Sequence, residues 1–149
     1  MSDEQHLLQE IEGYFHEKIP ITRAMGIRVV LYDKRQLILQ APLALNHNHL
    51  GTAFGGSLSA VATLAGYGMI WLALGDRNCH VVIRDSALSF RRPVRGDIRA
   101  VCRLPEEKRM EVFKLDFARK GKARIALKVT VEEEGEVAVD FSGTFVAIK

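Results

Sequence analysis

The hydrophobic and polar positions of the chain form one helical pattern, one long uncharged stretch and a series of alternating stretches. Residues 3 to 18 carry apolar residues at helical spacing, which predicts an amphipathic helix that stops before Pro20. Those apolar residues are Leu7, Leu8, Ile11, Tyr14 and Phe15. Residues 56 to 75 contain no Lys, Arg, Asp or Glu. This composition predicts a helix from about Gly55 to Leu74 that is apolar on every side and therefore buried.

Alternating apolar and polar residues predict strands on both sides of the long helix. Two strands precede it, over residues 25 to 32 and 35 to 42, with a turn near Tyr32-Asp33-Lys34 between them. Five strands with hairpin punctuation follow it, near residues 79 to 91, 97 to 104, 110 to 119, 123 to 133 and 136 to 148. Because these strands have one apolar face, we expect a mostly antiparallel sheet that covers the helix. The predicted fold class is α+β.

Length and composition indicate one globular domain. We expect a single domain over residues 1 to 149, with residues 1 to 19 as a helix packed on its outside. A net charge of +3, without a basic stripe among aromatic residues, does not favour nucleic-acid binding. Cys79 and Cys102 lack Cys-x-x-Cys spacing, which favours reduced thiols over a disulfide or a zinc site. The acidic first residues lack the pattern of an export signal, so the expected location is cytoplasmic.

The uncharged stretch is also long enough to span a bilayer, so a membrane helix is the alternative to a core helix. The stretch is nevertheless rich in glycine and hydroxyl residues, and alternating strands follow it directly. These two features favour a buried helix whose small residues let a sheet approach closely. We therefore expect no membrane span.

A glycine-rich loop leads directly into the predicted helix. Asn48-x-x-Gly51-Thr52-x-x-Gly55-Gly56 resembles the Asn…Gly-Thr…His-Gly-Gly signature of hotdog acyl-CoA thioesterases. The resemblance extends to the aromatic…Arg-Pro end of their third strand, here Ser89-Phe90-Arg91-Arg92-Pro93. Three further segments resemble the thioesterase-like domain that some bacterial proteins carry behind an acetyltransferase domain: Ala53-Phe-Gly-Gly-Ser-Leu, Thr63-Leu-Ala-Gly-Tyr-Gly and Val82-Ile-Arg-Asp-Ser. The similarity covers about residues 20 to 148 and implies a hotdog fold, in which a curved antiparallel sheet wraps around one long buried helix, here with an extra N-terminal helix.

The resemblance also implies a function. It implies hydrolysis of an acyl-CoA or acyl-carrier-protein thioester by a homodimer or a dimer of dimers with sites at the subunit interface. The backbone N–H of Gly55 is then expected to polarise the thioester carbonyl, while Asn48 places a water or the thioester. Free N–H groups at a helix start suit this task, because hydrolysis builds negative charge on the carbonyl oxygen. The alternative is that the glycines and Asn48 only form a tight turn.

Three positions depart from the family pattern. Phe54 stands where histidine is common, and Ile83 stands where many relatives have serine or threonine. Thr63 stands in place of the usual acidic base or nucleophile, and threonine cannot act as a base at neutral pH. A non-catalytic acyl-thioester binding module is therefore the first alternative to hydrolysis. Dehydration of a 3-hydroxyacyl thioester is a less favoured alternative, because Phe54 stands where such a site usually needs a histidine.

Polar residues form a stripe along the otherwise apolar helix. Ser59, Thr63 and Tyr67 are spaced i, i+4 and i+8, with Gly56 beneath them. We expect these hydroxyls either to hold the thioester and the attacking water or to bond back to the helix carbonyls four residues earlier.

Asp85 and two histidines are candidates for the missing base. Asp85 lies among apolar strand residues, which predicts either a buried carboxylate with a raised pKa or an ion pair with an arginine. His47 and His49 flank Asn48 and can take a proton near pH 7. No third ligand follows at a recognised spacing, so no metal site is expected.

The remaining candidates are expected to bind the substrate. Arginines near the end of the third strand suit coenzyme A phosphates, although each also fits a solvated surface. These arginines are Arg91, Arg92 and Arg95, with Arg84 and Arg99 nearby. Candidate contacts in the loop are His49, Gly51, Thr52, Phe54 and Gly56. Nucleotide-binding signatures are missing, so the only expected cofactor-like group is the coenzyme A or phosphopantetheine of the substrate.

Overall fold

A six-stranded antiparallel sheet curves around one 20-residue helix in the structure, a computed structural model that describes residues 1–149. The helices are α1 (Asp3–Lys18), α2 (Ile21–Ala24), α3 (Leu43–Asn46), α4 (Gly55–Leu74) and α5 (Glu107–Lys120). The strands are β1 (Arg28–Tyr32), β2 (Gln36–Ala41), β3 (His80–Phe90), β4 (Ile98–Arg103), β5 (Lys122–Glu133) and β6 (Glu136–Ile148). The order in the sheet is β1-β2-β4-β5-β6-β3, so β1 and β3 lie at the two edges. The expected hotdog architecture is confirmed.

The long helix α4 fills the concave side of the sheet. Alternate residues of β5, from Ala123 to Val131, are buried against it, and their neighbours point away to the outer face. Small residues of α4 allow the sheet to approach closely, because a Cβ added at Gly66 would lie 2.6 Å from a ring carbon of Phe145 in β6. The helix is long and apolar enough to cross a bilayer by length and composition alone, but here it is the core helix, with ten buried residues.

Helix α1 packs into the same core. Ser2 caps it through a capping box with Gln5, which satisfies backbone donors at its start. Phe15 is fully buried, and the ring of Tyr14 stacks on Trp71 of α4 with 4.0 Å between the ring centroids. The helix therefore closes the side of α4 that the sheet leaves open near Trp71.

The expected strand over residues 110 to 119 is wrong, because this segment forms α5. Met110, Phe113 and Phe117 follow one another at helical spacing and are buried, whereas Leu115 is 50% exposed. Gly121 ends the helix in the left-handed conformation, with φ of 71°, and its N–H bonds to the carbonyl of Phe117. Four strands instead of five thus follow α4. Because β4 pairs with β5 only over residues 100 to 102, α5 packs along the rest of β5.

Candidate active site

The start of α4 presents unpaired backbone donors. Phe54 occupies the N-cap position with an extended backbone, and no side chain caps the helix. The first backbone donor that bonds back is the N–H of Leu58, which reaches the carbonyl of Phe54 at 3.0 Å. The N–H groups of Gly55, Gly56 and Ser57 therefore have no intrahelical partner. An anionic oxygen placed there would meet several donors and the positive end of the helix dipole.

A buried asparagine that the sequence analysis missed holds the loop before this helix. Asn46 is 3% exposed, and its Nδ2 donates to the carbonyls of Met25 at 2.9 Å and Pro42 at 2.8 Å. Its own carbonyl accepts the N–H of Phe54 at 2.7 Å. These bonds fix the direction in which the chain enters α4. In the sequence Asn46 is one of two asparagines in the loop, and only its burial sets it apart.

Asn48 shapes the outer part of the loop. Its Oδ1 accepts the N–H groups of Leu50 at 2.8 Å and Thr52 at 3.2 Å, and its Nδ2 donates to Oγ1 of Thr52 at 2.9 Å. Gly51 lies within this turn with φ of 81°, a conformation that favours glycine. The side chains of Asn48 and Thr52 are thus used within the loop. A direct contact of Asn48, Gly51 or Thr52 with substrate stays a prediction.

The two histidines of the loop differ in their surroundings. His47 pairs with Ala53 through an isolated β-bridge, two residues before Gly55. Its Nδ1 donates to the carbonyl of Asn48 at 2.9 Å, which leaves Nε2 free to accept a proton. His49 is exposed and makes no hydrogen bond. Nowhere in the structure do three or more His, Cys, Asp or Glu side chains lie close enough together to hold a metal ion.

Aromatic rings flank the free N–H groups. A Cβ added at Gly55 would lie 3.9 Å from the ring of Phe90, at the end of β3, and one added at Gly56 would lie 2.5 Å from the ring of Phe54. Phe54 and Phe90 are 55% and 54% exposed. The loop therefore carries an apolar surface beside its backbone donors. Phe90 was part of the recognised motif but was not among the expected site residues.

The polar stripe of α4 is only partly available to a ligand. Oγ1 of Thr63 donates to the carbonyl of Ser59 at 2.8 Å, as expected for a helix hydroxyl that bonds back to its own backbone. The hydroxyl of Tyr67 donates to that of Tyr14 at 3.5 Å. Burial, followed by the hydrogen bond to Tyr14, raises the pKa of Tyr67. Both side chains are half-buried and keep their protons at neutral pH.

Asp85 is not the buried carboxylate that its apolar neighbours suggest, and this expectation is wrong. Its side chain is 66% exposed and lies 3.8 Å from the guanidinium of Arg84. β3 is an edge strand next to β6, so no second strand covers this position. The alternative, an ion pair with arginine, is what the structure shows.

Two of the three arginines expected to hold phosphate have carboxylate partners. Arg91 lies 2.6 Å from Asp140, and Arg92 pairs with Glu136. The backbone N–H of Arg95 bonds to Glu133, while its guanidinium makes no ion pair. The charges of Arg91 and Arg92 are therefore partly neutralised, which weakens their attraction for an anion.

The chain is similar in sequence to one protein family and in fold to several solved structures. Residues 8–149 match the protein family described as "Putative thioesterase (yiiD_Cterm)". A protein of unknown function from Chlorobaculum tepidum TLS has 35% identity and a TM-score of 0.89, over 98% of this chain and 96% of that chain. A "putative thioesterase" from Shewanella oneidensis has 28% identity and a TM-score of 0.86, over 97% and 99%. Since the family match extends from residue 8 to the last residue, the chain belongs to this thioesterase family with the hotdog fold.

Proposed function

We propose that the protein hydrolyses acyl thioesters carried by coenzyme A or acyl-carrier protein, at the start of α4. The observation that carries this proposal is the set of unpaired N–H groups at Gly55 and Gly56 beside the ring of Phe90. The N–H groups suit the oxygen of a thioester carbonyl, and the aromatic surface suits the apolar acyl chain.

The reaction needs three events at this site. The carbonyl oxygen accepts the N–H of Gly55, and a water oxygen attacks the carbonyl carbon to give a tetrahedral oxyanion. The C–S bond then breaks, the thiolate leaves and takes back the proton that the base removed from water, and the acyl group departs as a carboxylic acid. Nε2 of His47 is the proton acceptor that we assign to the attacking water, because Nδ1 is fixed by the carbonyl of Asn48. Asp85 is left out of this scheme, since its side chain is exposed and faces Arg84.

A second copy of the chain supplies Thr63 in this proposal. Thr63 follows Gly55 by eight residues on one helix, so the two lie about 12 Å apart along the axis. A water that attacks a carbonyl held by Gly55 is therefore out of reach of Thr63 in the same subunit. A homodimer is supported by the free edge of β3 and by three exposed apolar residues on that strand, Val82, Ile83 and Phe90.

Binding without hydrolysis is the second candidate. It is favoured by the absence of a buried carboxylate near the loop and by the use of the Thr63 hydroxyl within its own helix. Both candidates place the acyl thioester at the same N–H groups. They differ in whether free thiol is released.

The test removes the N–H of Gly55 without breaking the helix. In Gly55→Pro the donor is lost at the first helical position, where proline is well tolerated, and Phe54 already has the extended backbone that precedes proline. Gly55→Ala is the matched control, because its Cβ meets Phe90 at an ordinary 3.9 Å and its N–H remains. We expect kcat on acyl-CoA to fall by about 10²-fold in Gly55→Pro and to stay near wild type in Gly55→Ala.

Release of free thiol from acyl-CoAs and acyl-carrier proteins of several chain lengths separates the candidates. Hydrolysis that is equal in both variants would contradict the role of Gly55. Acyl-CoA that binds to the wild type but never releases thiol would establish the binding module instead. Sedimentation equilibrium of the same samples tests the two-subunit site, and a monomeric active protein would contradict it.

A further inference from the structure

A basic groove lies on the opposite face of the sheet from α4. It runs between α5 and the outer face of β3, β5 and β6, and consists of two adjoining cavities of about 380 and 510 Å³. We call it the α5 groove and define it by its five cationic residues. These are Arg84, Arg109, Lys120, Lys122 and Arg124.

The α5 groove has a large excess of positive charge. Asp116 is the only acidic residue that lines it, and its carboxylate lies 3.9 Å from Lys120. Arg84 has only the exposed Asp85 at 3.8 Å, while Lys122 and Arg124 have no ion pair. This contrasts with Arg91 and Arg92, whose guanidinium groups are paired with acidic residues of β6. The α5 groove therefore holds several cations without a carboxylate partner, whereas two of the three arginines where the sequence motif ends are paired.

Regular secondary structure presents these cations. Side chains alternate between the two faces of β5. Ala123 and Ile125 are buried, so Lys122 and Arg124 point outwards. Nη2 of Arg109 donates to the carbonyl of Ala126 at 2.7 Å, which fixes this guanidinium against β5. Exposed side chains on rigid elements lose less freedom on binding than those on a mobile loop.

We propose that the α5 groove binds the phosphate groups of a small phosphorylated molecule of the nucleotide type. Guanidinium groups match phosphate oxygens in geometry and charge. Arg84 and Arg124 line both cavities, Arg109 lines one, and the two lysines line the other, so there are cations for two phosphates side by side. The cavities have the size of small-molecule sites, and no exposed aromatic side chain lines them to stack bases of a nucleic acid.

The phosphates of coenzyme A and those of a free nucleotide share this chemistry. Arg84 is six residues from Phe90 along β3, about 20 Å, and lies on the outer side of the sheet. The groove is therefore separate from the site at Gly55. Phosphate binding there can be measured whether or not the protein hydrolyses thioesters, so the proposal does not depend on the proposed function.

Calorimetry with three probes tests the proposal: pyrophosphate, 3′,5′-ADP and coenzyme A. The double variant Lys122→Gln/Arg124→Gln removes two cations of the groove. Lys128→Gln is the matched control, because Lys128 is exposed on the same outer face of the same strand but does not line either cavity. We expect 3′,5′-ADP to bind the wild type and the control alike, and the double variant at least tenfold more weakly. Higher salt should weaken binding to the wild type.

Steady-state kinetics of the same variants distinguish coenzyme A from a free nucleotide as the ligand of the α5 groove. If the ligand is coenzyme A, the double variant raises KM for acyl-CoA without lowering kcat, and 3′,5′-ADP inhibits competitively. If it is a free nucleotide, 3′,5′-ADP binds in the groove while KM for acyl-CoA stays unchanged. Equal loss of binding in Lys128→Gln, or no binding of any of the three probes, would overturn the proposal. Gly55→Pro should bind the probes like the wild type, so a failure of the thioesterase proposal is seen separately.

Discussion

The hydroxyl of Thr63 donates its proton to the carbonyl oxygen of Ser59, 2.8 Å away and one turn earlier in α4. The proton of Thr63 is thus committed to the helix, and only the lone pairs of its oxygen can meet a ligand. A residue in this state cannot take a proton from water. It can still accept a hydrogen bond from water and hold it in position.

Replacement of Thr63 tests whether its oxygen positions the attacking water or serves only the helix. Thr63→Val keeps the shape of the side chain and removes the acceptor, so we expect kcat to fall by about fivefold, the value of one ordinary hydrogen bond. Thr63→Ser keeps the oxygen and should retain the wild-type kcat. KM and the urea midpoint should change little in either variant. A Thr63→Val enzyme with full activity would show that the hydroxyl serves only the helix.

Gly66 allows Phe145 to lie directly against the backbone of α4. An alanine Cβ at this position would come within 2.6 Å of the ring, so Gly66→Ala should lower the free energy of unfolding by about 1 to 3 kcal/mol. Gly13→Ala in α1 is the control, because nothing lies within 4 Å of its added Cβ. That change should stabilise the protein by about 0.5 to 1 kcal/mol through helix propensity. Urea unfolding measures both, and a neutral Gly66→Ala would mean that the sheet moves away from α4 at little cost.

The sequence predicts α4 well and α5 badly, for different physical reasons. The uncharged stretch of α4 has no alternative structure once the chain is globular, so both ends are correct. In α5 the residues Phe113, Leu115 and Phe117 alternate like a strand, while Met110, Phe113 and Phe117 recur like a helix. Two periodicities coexist in one short segment, and only packing against β5 decides between them.

Burial and ion pairing depend on contacts between distant parts of the chain. Asp85 has apolar neighbours in sequence, but β3 is an edge strand, and the order of strands is not a local property. Arg91 finds Asp140 across the β3–β6 pairing, which no spacing along the chain reveals. Motif and spacing locate the glycine loop, whereas the free cations of the α5 groove appear only in the folded structure.

Both cysteines should be unreactive in the native protein. Burial raises the pKa of Cys102 to about 12 and also raises that of Cys79, with a further contribution from the charge of Asp76. At pH 8 both are therefore protonated thiols, and thiolate is the reactive form. DTNB should detect no thiol in the native protein and two per chain in urea. A fast native reaction would show that one site opens, and it would add a background to thioesterase assays that follow released thiol.

His47 is the residue that we expect to accept the proton of the attacking water. Its Nδ1 is held by the carbonyl of Asn48, and its backbone is bridged to Ala53 just before the free N–H groups. Loss of a general base costs about 10² to 10⁴ in rate, so His47→Gln should lower kcat by at least about 10²-fold while acyl-CoA still binds. His49→Gln is the control, because His49 is also exposed in the same loop but makes no hydrogen bond that orients its ring. Equal losses in both variants would indicate that the loop as a whole was disturbed. Full activity of His47→Gln would rule out His47 as the general base.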